Sequence, residues 1–119
     1  MKNLDKFGQF VIANLRDKAI QQHLMLQRGE LRGKTIQELQ SKVVSLPDEQ
    51  KAIMRKVVAD VIDTALHDFL FALQDAHDRR LGIELAVDGH NVAEQSGMLQ
   101  GEPLGEEGWI KRFSGFPKV

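Results

Sequence analysis

The chain has 119 residues, of which 42% are hydrophobic and 28% charged, as is usual for one globular domain. It contains no cysteine, which excludes disulfide frameworks, thiolate nucleophiles and cysteine-ligated metal centres. No apolar run approaches the roughly 20 residues of a membrane-spanning helix, and the first ten residues, MKNLDKFGQF, lack the apolar block of a signal peptide. We therefore expect a single cytoplasmic domain, 1–119, with no membrane contact.

The formal net charge of −1 conceals an asymmetry between the two halves of the chain. Residues 1–58 carry 11 Lys/Arg against 6 Asp/Glu, whereas residues 59–119 carry 5 against 11. If the halves face different directions, the acidic half can attract a basic partner over a long range. A nucleic-acid partner is not expected, because the sequence pI is about 6.4 and no basic run exceeds two residues.

The first predicted helix runs from Asn3, a candidate N-cap, to Arg28, with Gly29 as the closing residue. Gly8 weakens its first turns by roughly 1 kcal/mol relative to alanine, which predicts either fraying or a close approach to another backbone. One face of this helix is predicted to be buried because its apolar residues recur at steps of three and four. These residues are Leu4, Phe7, Val11, Leu15 and Ala19.

A second, shorter helix is predicted from Thr35 to about Ser45. Thr35 and Glu38 have the spacing of a capping box, in which side chains satisfy the free amides at a helix start. Ser45 and Asp48 repeat this spacing, which predicts that a third helix begins immediately afterwards.

The third predicted helix extends from about Pro47 to Leu81, with Gly82 just past its end. A straight helix of this length spans roughly 50 Å, more than the width of a domain of this size, so it must kink, break or project. Its apolar residues occupy an arc of about 180°, which predicts a central helix with core on two sides. They are Met54, Val58, Val61, Ile62, Ala65, Leu66, Phe69, Leu70, Ala72, Leu73 and Ala76.

A β-hairpin is predicted after Gly82, because apolar and other residues alternate over 83–87 before an Asp88-Gly89 turn. A two-residue turn places Leu85 opposite Val92, both facing inward. An irregular loop is expected over 95–105, with Met98 and Leu99 as anchors. One or two helical turns follow over 106–113, with Trp109 and Phe113 on one face as core anchors.

These elements predict an α+β, predominantly helical fold. Three helices, the third long and central, make up residues 1–81, and a small antiparallel β-hairpin with an anchored C-terminal segment makes up 82–119.

A metal site is one candidate function for the polar side of the third helix. Asp60, Asp63 and His67 lie three and four residues apart, so their side chains converge in the way a divalent cation requires. One helix rarely supplies a complete coordination sphere, and a solvated acidic face is the simpler interpretation. A small metal-dependent hydrolase that uses these three residues is therefore the alternative hypothesis rather than the leading one.

The more unusual feature is apolar side chains on the same polar side. Ile53, Val57 and Phe71 fall at the helix angles of Asp60, Asp63 and His67, and a solvated face seldom carries such a trio uncovered. The preferred explanation is packing beneath the C-terminal loop and Trp109, because a long helix with core on two sides needs neighbours. The other explanation is a protein partner or a second copy of the chain.

The leading functional hypothesis is a non-catalytic protein-interaction module that needs no cofactor and forms a homodimer or binds a protein partner. Its predicted contact residues are Ile53, Val57, Asp60, Asp63, His67 and Phe71. A concrete form is a bacterial immunity or antitoxin-like inhibitor that places acidic side chains in the groove of a basic toxin. A sensor with a small-ligand pocket between hairpin and helices is a third possibility.

Overall fold

The computed structural model describes residues 2–118. The fold is α+β and predominantly helical, as predicted, with 67% helix and one two-stranded antiparallel sheet. None of the described helices combines the length and apolar character needed to cross a membrane. In chain order the elements are α1 (Asn3–Val11), a π-helical turn (Ile12–Asp17), α2 (Lys18–Arg28), α3 (Gln37–Val44), α4 (Asp48–Asp78), β1 (Ala86–Val87), β2 (His90–Asn91), α5 (Val92–Ser96), a 3-10 turn (Leu99–Gly101) and α6 (Trp109–Phe113).

The first predicted helix is confirmed as a continuous rod of α1, the π-helical turn and α2. Its buried face changes register at the π-helical turn, because each turn of π-helix holds an extra residue. Before the turn the buried residues are Phe7 and Val11, as predicted, with Gly8 between them. Within the turn they are Ile12 and Arg16, and beyond it Ile20 and Gln27. The prediction was therefore wrong for Leu15, which is exposed, whereas Leu4 and Ala19 are half-buried.

The helix ends only partly follow the sequence signals. Gly29 closes α2 in the left-handed conformation, as predicted, with φ of 75°. Both predicted capping boxes are wrong, because α3 and α4 begin without any side-chain cap and Ser45 bonds back to the carbonyl of Lys42. α4 ends at Asp78, three residues earlier than predicted, because the left-handed residue that closes it is Arg80, with φ of 54°. Gly82 is left-handed as well, with φ of 82°, but lies beyond the end of the helix.

α4 runs for 31 residues without a break, and it sets the length of the molecule. At 1.5 Å per residue it is about 46 Å long, close to the longest dimension of the protein, 48 Å. Leu66, Leu70 and Leu73 are buried against the other elements on one side of the helix. The core predicted on a second side of α4 is absent from the described residues. Val61 and Phe69, which lie on that side, are more than half exposed.

The hairpin forms in the predicted register. Asp88 and Gly89 both have positive φ, 50° and 82°, as a type I′ turn requires. Val87 pairs with His90, and the amide of Val92 donates to the carbonyl of Leu85 at 3.0 Å. Val92 is fully buried, and Leu85 packs against the same core, so both face inward as predicted.

The C-terminal segment is anchored by some of the predicted residues. Leu99 and Trp109 are fully buried and Phe113 packs against the core, whereas Met98 is exposed, so its prediction as an anchor is wrong. The expected loop over 95–105 contains the end of α5 and the 3-10 turn. Gln74 of α4 holds this region, because its side-chain amide accepts from the amide of Leu99 at 3.0 Å and donates to the carbonyl of Ala93 at 3.2 Å.

Trp109 packs against α1 at the point where α1 has a glycine. The indole meets the ring of Phe7 edge-on, with centroids 5.7 Å apart. A Cβ atom at position 8 would lie 2.5 Å from the indole Nε1, closer than real Cβ contacts come. Gly8 therefore permits a close approach, here by a side chain rather than by a backbone.

We predict that Gly8→Ala destabilises the protein. The gain in helix propensity, up to about 1 kcal/mol, is smaller than the roughly 1–3 kcal/mol cost of overpacking against a rigid, buried indole. Urea unfolding monitored by circular dichroism should show a lower midpoint. Gly33→Ala is the matched control, because the nearest atom to its added Cβ is 3.9 Å away. A Gly8→Ala variant at least as stable as the control would contradict this packing.

A buried polar network joins α2 to α4. The side-chain amide nitrogen of Gln27 donates to the carbonyl of Lys51 at 2.9 Å and lies 2.8 Å from Nε2 of His23. Its oxygen accepts from Arg55 at 2.8 Å. Because an amide NH₂ can only donate, His23 must accept at Nε2 and is therefore neutral. Burial, and secondarily the charge of Arg55, hold the pKa of His23 below its usual 6.5.

We predict that stability falls as the pH decreases from about 6.5. The unfolded chain takes up a proton on His23 before the folded chain does, so this part of the stability is present above the unfolded pKa and is lost as the pH falls through the lower folded pKa. The free energy of unfolding measured in urea from pH 8 to pH 5 should show this loss. His23→Gln, which keeps an acceptor but does not titrate, should lessen it; an unchanged pH profile would contradict the network.

Candidate functional site

Large apolar side chains lie exposed along most of α4. More than half of the surface of each is accessible, in contrast to the buried leucines of the same helix. A folded domain rarely leaves so many large apolar side chains of one helix open unless another molecule covers them. These side chains are Ile53, Val57, Val61, Phe69 and Phe71.

The predicted contact residues largely share one exposed face of α4. We call this the acid–apolar face and define it as Ile53, Val57, Asp60, His67 and Phe71. All five are exposed. The sixth predicted residue, Asp63, is only partly exposed and turns toward the π-helical turn, where it is paired with Arg16.

The preferred explanation of the apolar trio, cover by the C-terminal loop and Trp109, is wrong. Trp109 packs on α1 instead, and Ile53, Val57 and Phe71 are 57%, 55% and 52% exposed. α4 is rotated so that Leu66 and Leu70 face the core. The acid–apolar face lies roughly 100° away around the helix, so it cannot contact the same core. Within residues 2–118, the chain leaves this face open to solvent.

The charge around the acid–apolar face is mainly negative. Asp60, Asp68 and Asp78 are exposed on α4, and Lys56 is the nearest exposed cation along the helix. Asp68 lies 3.2 Å from Nδ1 of His67. An apolar centre with acidic surroundings is complementary to a basic protein surface.

Arg16 forms a buried polar junction on the neighbouring side of α4. It is 2% exposed, and its Nε donates to Oδ1 of Asp63 at 2.6 Å. The same guanidinium donates to Oγ of Ser114 at 2.9 Å and to the carbonyl of Phe116 at 2.8 Å. The hydroxyl of Ser114 in turn donates to Asp17 at 2.6 Å. One cation thus ties the first helix, α4 and the C-terminal segment together.

The sequence interpretation missed Arg16. A usable signal was present, because Arg16 lies four residues after Ile12 and four before Ile20, inside an apolar row at helical spacing. A charged residue within such a row is rarely buried without a partner. The partner could not be identified, because Asp63 is distant in sequence and had been assigned to the polar side of α4.

The proposed metal ligands do not form a cluster. Within residues 2–118 no group of three His, Cys, Asp or Glu side chains is arranged to hold a metal ion. Asp63 accepts from Arg16 rather than pointing toward Asp60 and His67. Asp63 is therefore not free to bind a metal ion together with Asp60 and His67.

An apolar pocket of about 300 Å³ lies between α1 and the hairpin, where the third hypothesis expected one. Phe7, Phe10 and Val87 line it, and its cation, Lys6, is paired with Asp88 at 2.8 Å. A ligand site of this kind needs a few polar groups to orient its ligand. Among its lining residues only Lys6 has a polar side chain, and this side chain is already paired. The pocket therefore lacks a free polar side chain that could orient a ligand.

Comparison of the chain with protein-family models, with curated protein sequences and with solved structures gives no match.

We predict that Asp63→Ala destabilises the protein by about 2–4 kcal/mol, because the buried Arg16 then loses the carboxylate to which it donates and keeps only that of Asp17, 3.8 Å away. The loss is expected below that of a fully buried pair, since the side chain of Asp63 is 37% exposed. Asp60→Ala is the control: it removes an exposed acid of the same helix and should change stability by less than about 0.5 kcal/mol. Equal unfolding midpoints for the two variants in urea would contradict the junction.

Proposed function

We propose that the protein is a non-catalytic, cytoplasmic protein-interaction module that binds a basic protein through the acid–apolar face of α4. The observation that carries this proposal is the exposure of Ile53, Val57 and Phe71 beside acidic side chains. An apolar centre provides affinity when it is desolvated, and surrounding charge provides long-range attraction and selectivity.

The rigidity of the face supports this role. α4 is one uninterrupted helix whose other side is fixed by buried leucines and by the Arg16–Asp63 pair. A partner can therefore dock without first ordering the backbone, which lowers the entropic cost of binding. An antitoxin-like inhibitor of a basic toxin is the form of this function that the charge favours.

We predict that Phe71→Asp weakens partner binding by at least about tenfold, because it places a charge at the apolar centre. The full-length protein, immobilised in wild-type and variant forms, would be used to capture proteins from lysate of the source cells, and binding of the captured protein would then be measured by calorimetry. Leu39→Asp is the matched control, because Leu39 is equally exposed, at 52%, but lies on α3.

The expected partner is retained by the wild type and by the Leu39→Asp variant, lost with Phe71→Asp, and bound more weakly at higher salt. A partner that Phe71→Asp retains in full, or whose binding is independent of salt, would contradict the proposal.

A further inference from the structure

A second apolar surface of α4 follows the spacing of a coiled-coil seam. We call it the seam; its residues alternate in steps of four and three along the helix, the spacing that keeps one helix against another. It contains no charged residue. The seam consists of Val58, Ile62, Ala65, Phe69, Ala72 and Ala76.

The centre of the seam is open in the structure. Ala65, Phe69 and Ala72 are exposed, Val58 and Ile62 are half-buried, and Ala76 alone is already covered by its own chain. The radius of gyration, 16.8 Å, exceeds the roughly 13–14 Å of a compact chain of this length. α4 therefore lies along an elongated molecule with one of its apolar surfaces uncovered.

The order of large and small residues in the seam is self-complementary. Reversing the helix about the level of residue 67 brings Phe69 opposite Ala65 and Ile62 opposite Ala72. Val58 then falls opposite position 76, which is also alanine. Phe69 and Ile62 thus each face a small residue, as close packing of two helices requires. The outer pair adds little, because Ala76 is already covered by its own chain.

We propose that a second copy of this chain covers the seam, with the two α4 helices antiparallel and related by a two-fold axis at the level of residue 67. In such a dimer the same surface serves both copies. A parallel, in-register pair would place Phe69 against Phe69 and Ala65 against Ala65, which crowds one layer and leaves a void in the next. The antiparallel arrangement also opposes the two helix dipoles.

The size of the contact indicates a reversible dimer. With the axis at residue 67, the helices overlap over residues 56–78, a length of about 35 Å. A strip of this length and about one helix diameter wide is at the small end of specific interfaces. We therefore expect the mass to increase with protein concentration rather than a dimer that persists on dilution.

Self-association through the seam and partner binding through the acid–apolar face use different surfaces of α4, and they respond differently to salt. Asp68 flanks the seam near the axis, so the two copies bring like charges together, and salt should strengthen the dimer or leave it unchanged. Salt should weaken the binding of a basic partner to the acid–apolar face. Either proposal can therefore fail without the other.

The first test compares two phenylalanines that are almost equally exposed. Phe69 lies on the seam and Phe71 on the acid–apolar face, at 51% and 52% exposure and about 200° apart around the helix. Sedimentation velocity of the full chain over a concentration series should show dimerisation of the wild type and of Phe71→Asp. Phe69→Asp should raise the dimer Kd at least about tenfold, because it buries a charge.

Circular dichroism of each variant establishes that the helices are intact. Should Phe69→Asp reduce helicity, Ala72→Glu provides the same test at an exposed seam position with a residue that favours helix. The expected result is again a dimer Kd raised at least about tenfold, with wild-type helicity.

The second test uses the absence of native cysteine to determine orientation. Ile62→Cys and Ala72→Cys chains, mixed under oxidising conditions, should form a cross-linked heterodimer because the two positions face each other. Neither variant alone should cross-link, since like positions are ten residues, or about 15 Å, apart along the axis, beyond the reach of a disulfide.

A wild type that stays monomeric at every concentration, or a dimer that Phe69→Asp and Ala72→Glu leave intact, would overturn the proposal. So would a dimer that Phe71→Asp dissociates as well, or a cross-link formed by Ile62→Cys alone.

Discussion

The buried guanidinium of Arg16 is the constraint on which the rest of this structure depends. A cation removed from water requires a carboxylate and further acceptors, and these come from Asp63 of α4 and from the C-terminal segment at Ser114 and Phe116. The π-helical turn shifts the register of the first helix and so directs Arg16 toward these partners. Bonding to Asp63 also fixes the rotation of α4 about its own axis.

That rotation determines which surfaces the protein presents. With Leu66 and Leu70 turned into the core and Gln74 bonded to the C-terminal segment, the helix has only one side to offer to its own chain. Five large apolar side chains of α4 remain more than half exposed. Their exposure is therefore a consequence of how the helix is held. It leaves two separate surfaces open: the acid–apolar face, and the seam, whose own residues are all uncharged.

Buried polar side chains, rather than additional apolar contacts, join the elements of this fold. Arg16, Gln27, Gln40 and Gln74 are the polar residues buried within the described chain. Gln40 bonds to both the amide and the carbonyl of Leu31 and so fixes the linker before α3. Each of these bonds is directional, so each specifies an orientation that apolar packing alone would leave loosely defined. The cost is sensitivity to any change that removes one partner.

Local patterns in the sequence were sufficient to predict the three helices of residues 1–81, the Asp88-Gly89 hairpin and its register, and the anchoring of Trp109. Each of these depends on residues close together in the chain, where periodicity and turn chemistry act directly. The tertiary structure alone decided the register shift at the π-helical turn, the partner of Arg16, and which of the apolar sides of α4 is buried. These depend on contacts between residues far apart in sequence, and a wide apolar arc is equally compatible with a neighbour from the same chain or from another molecule.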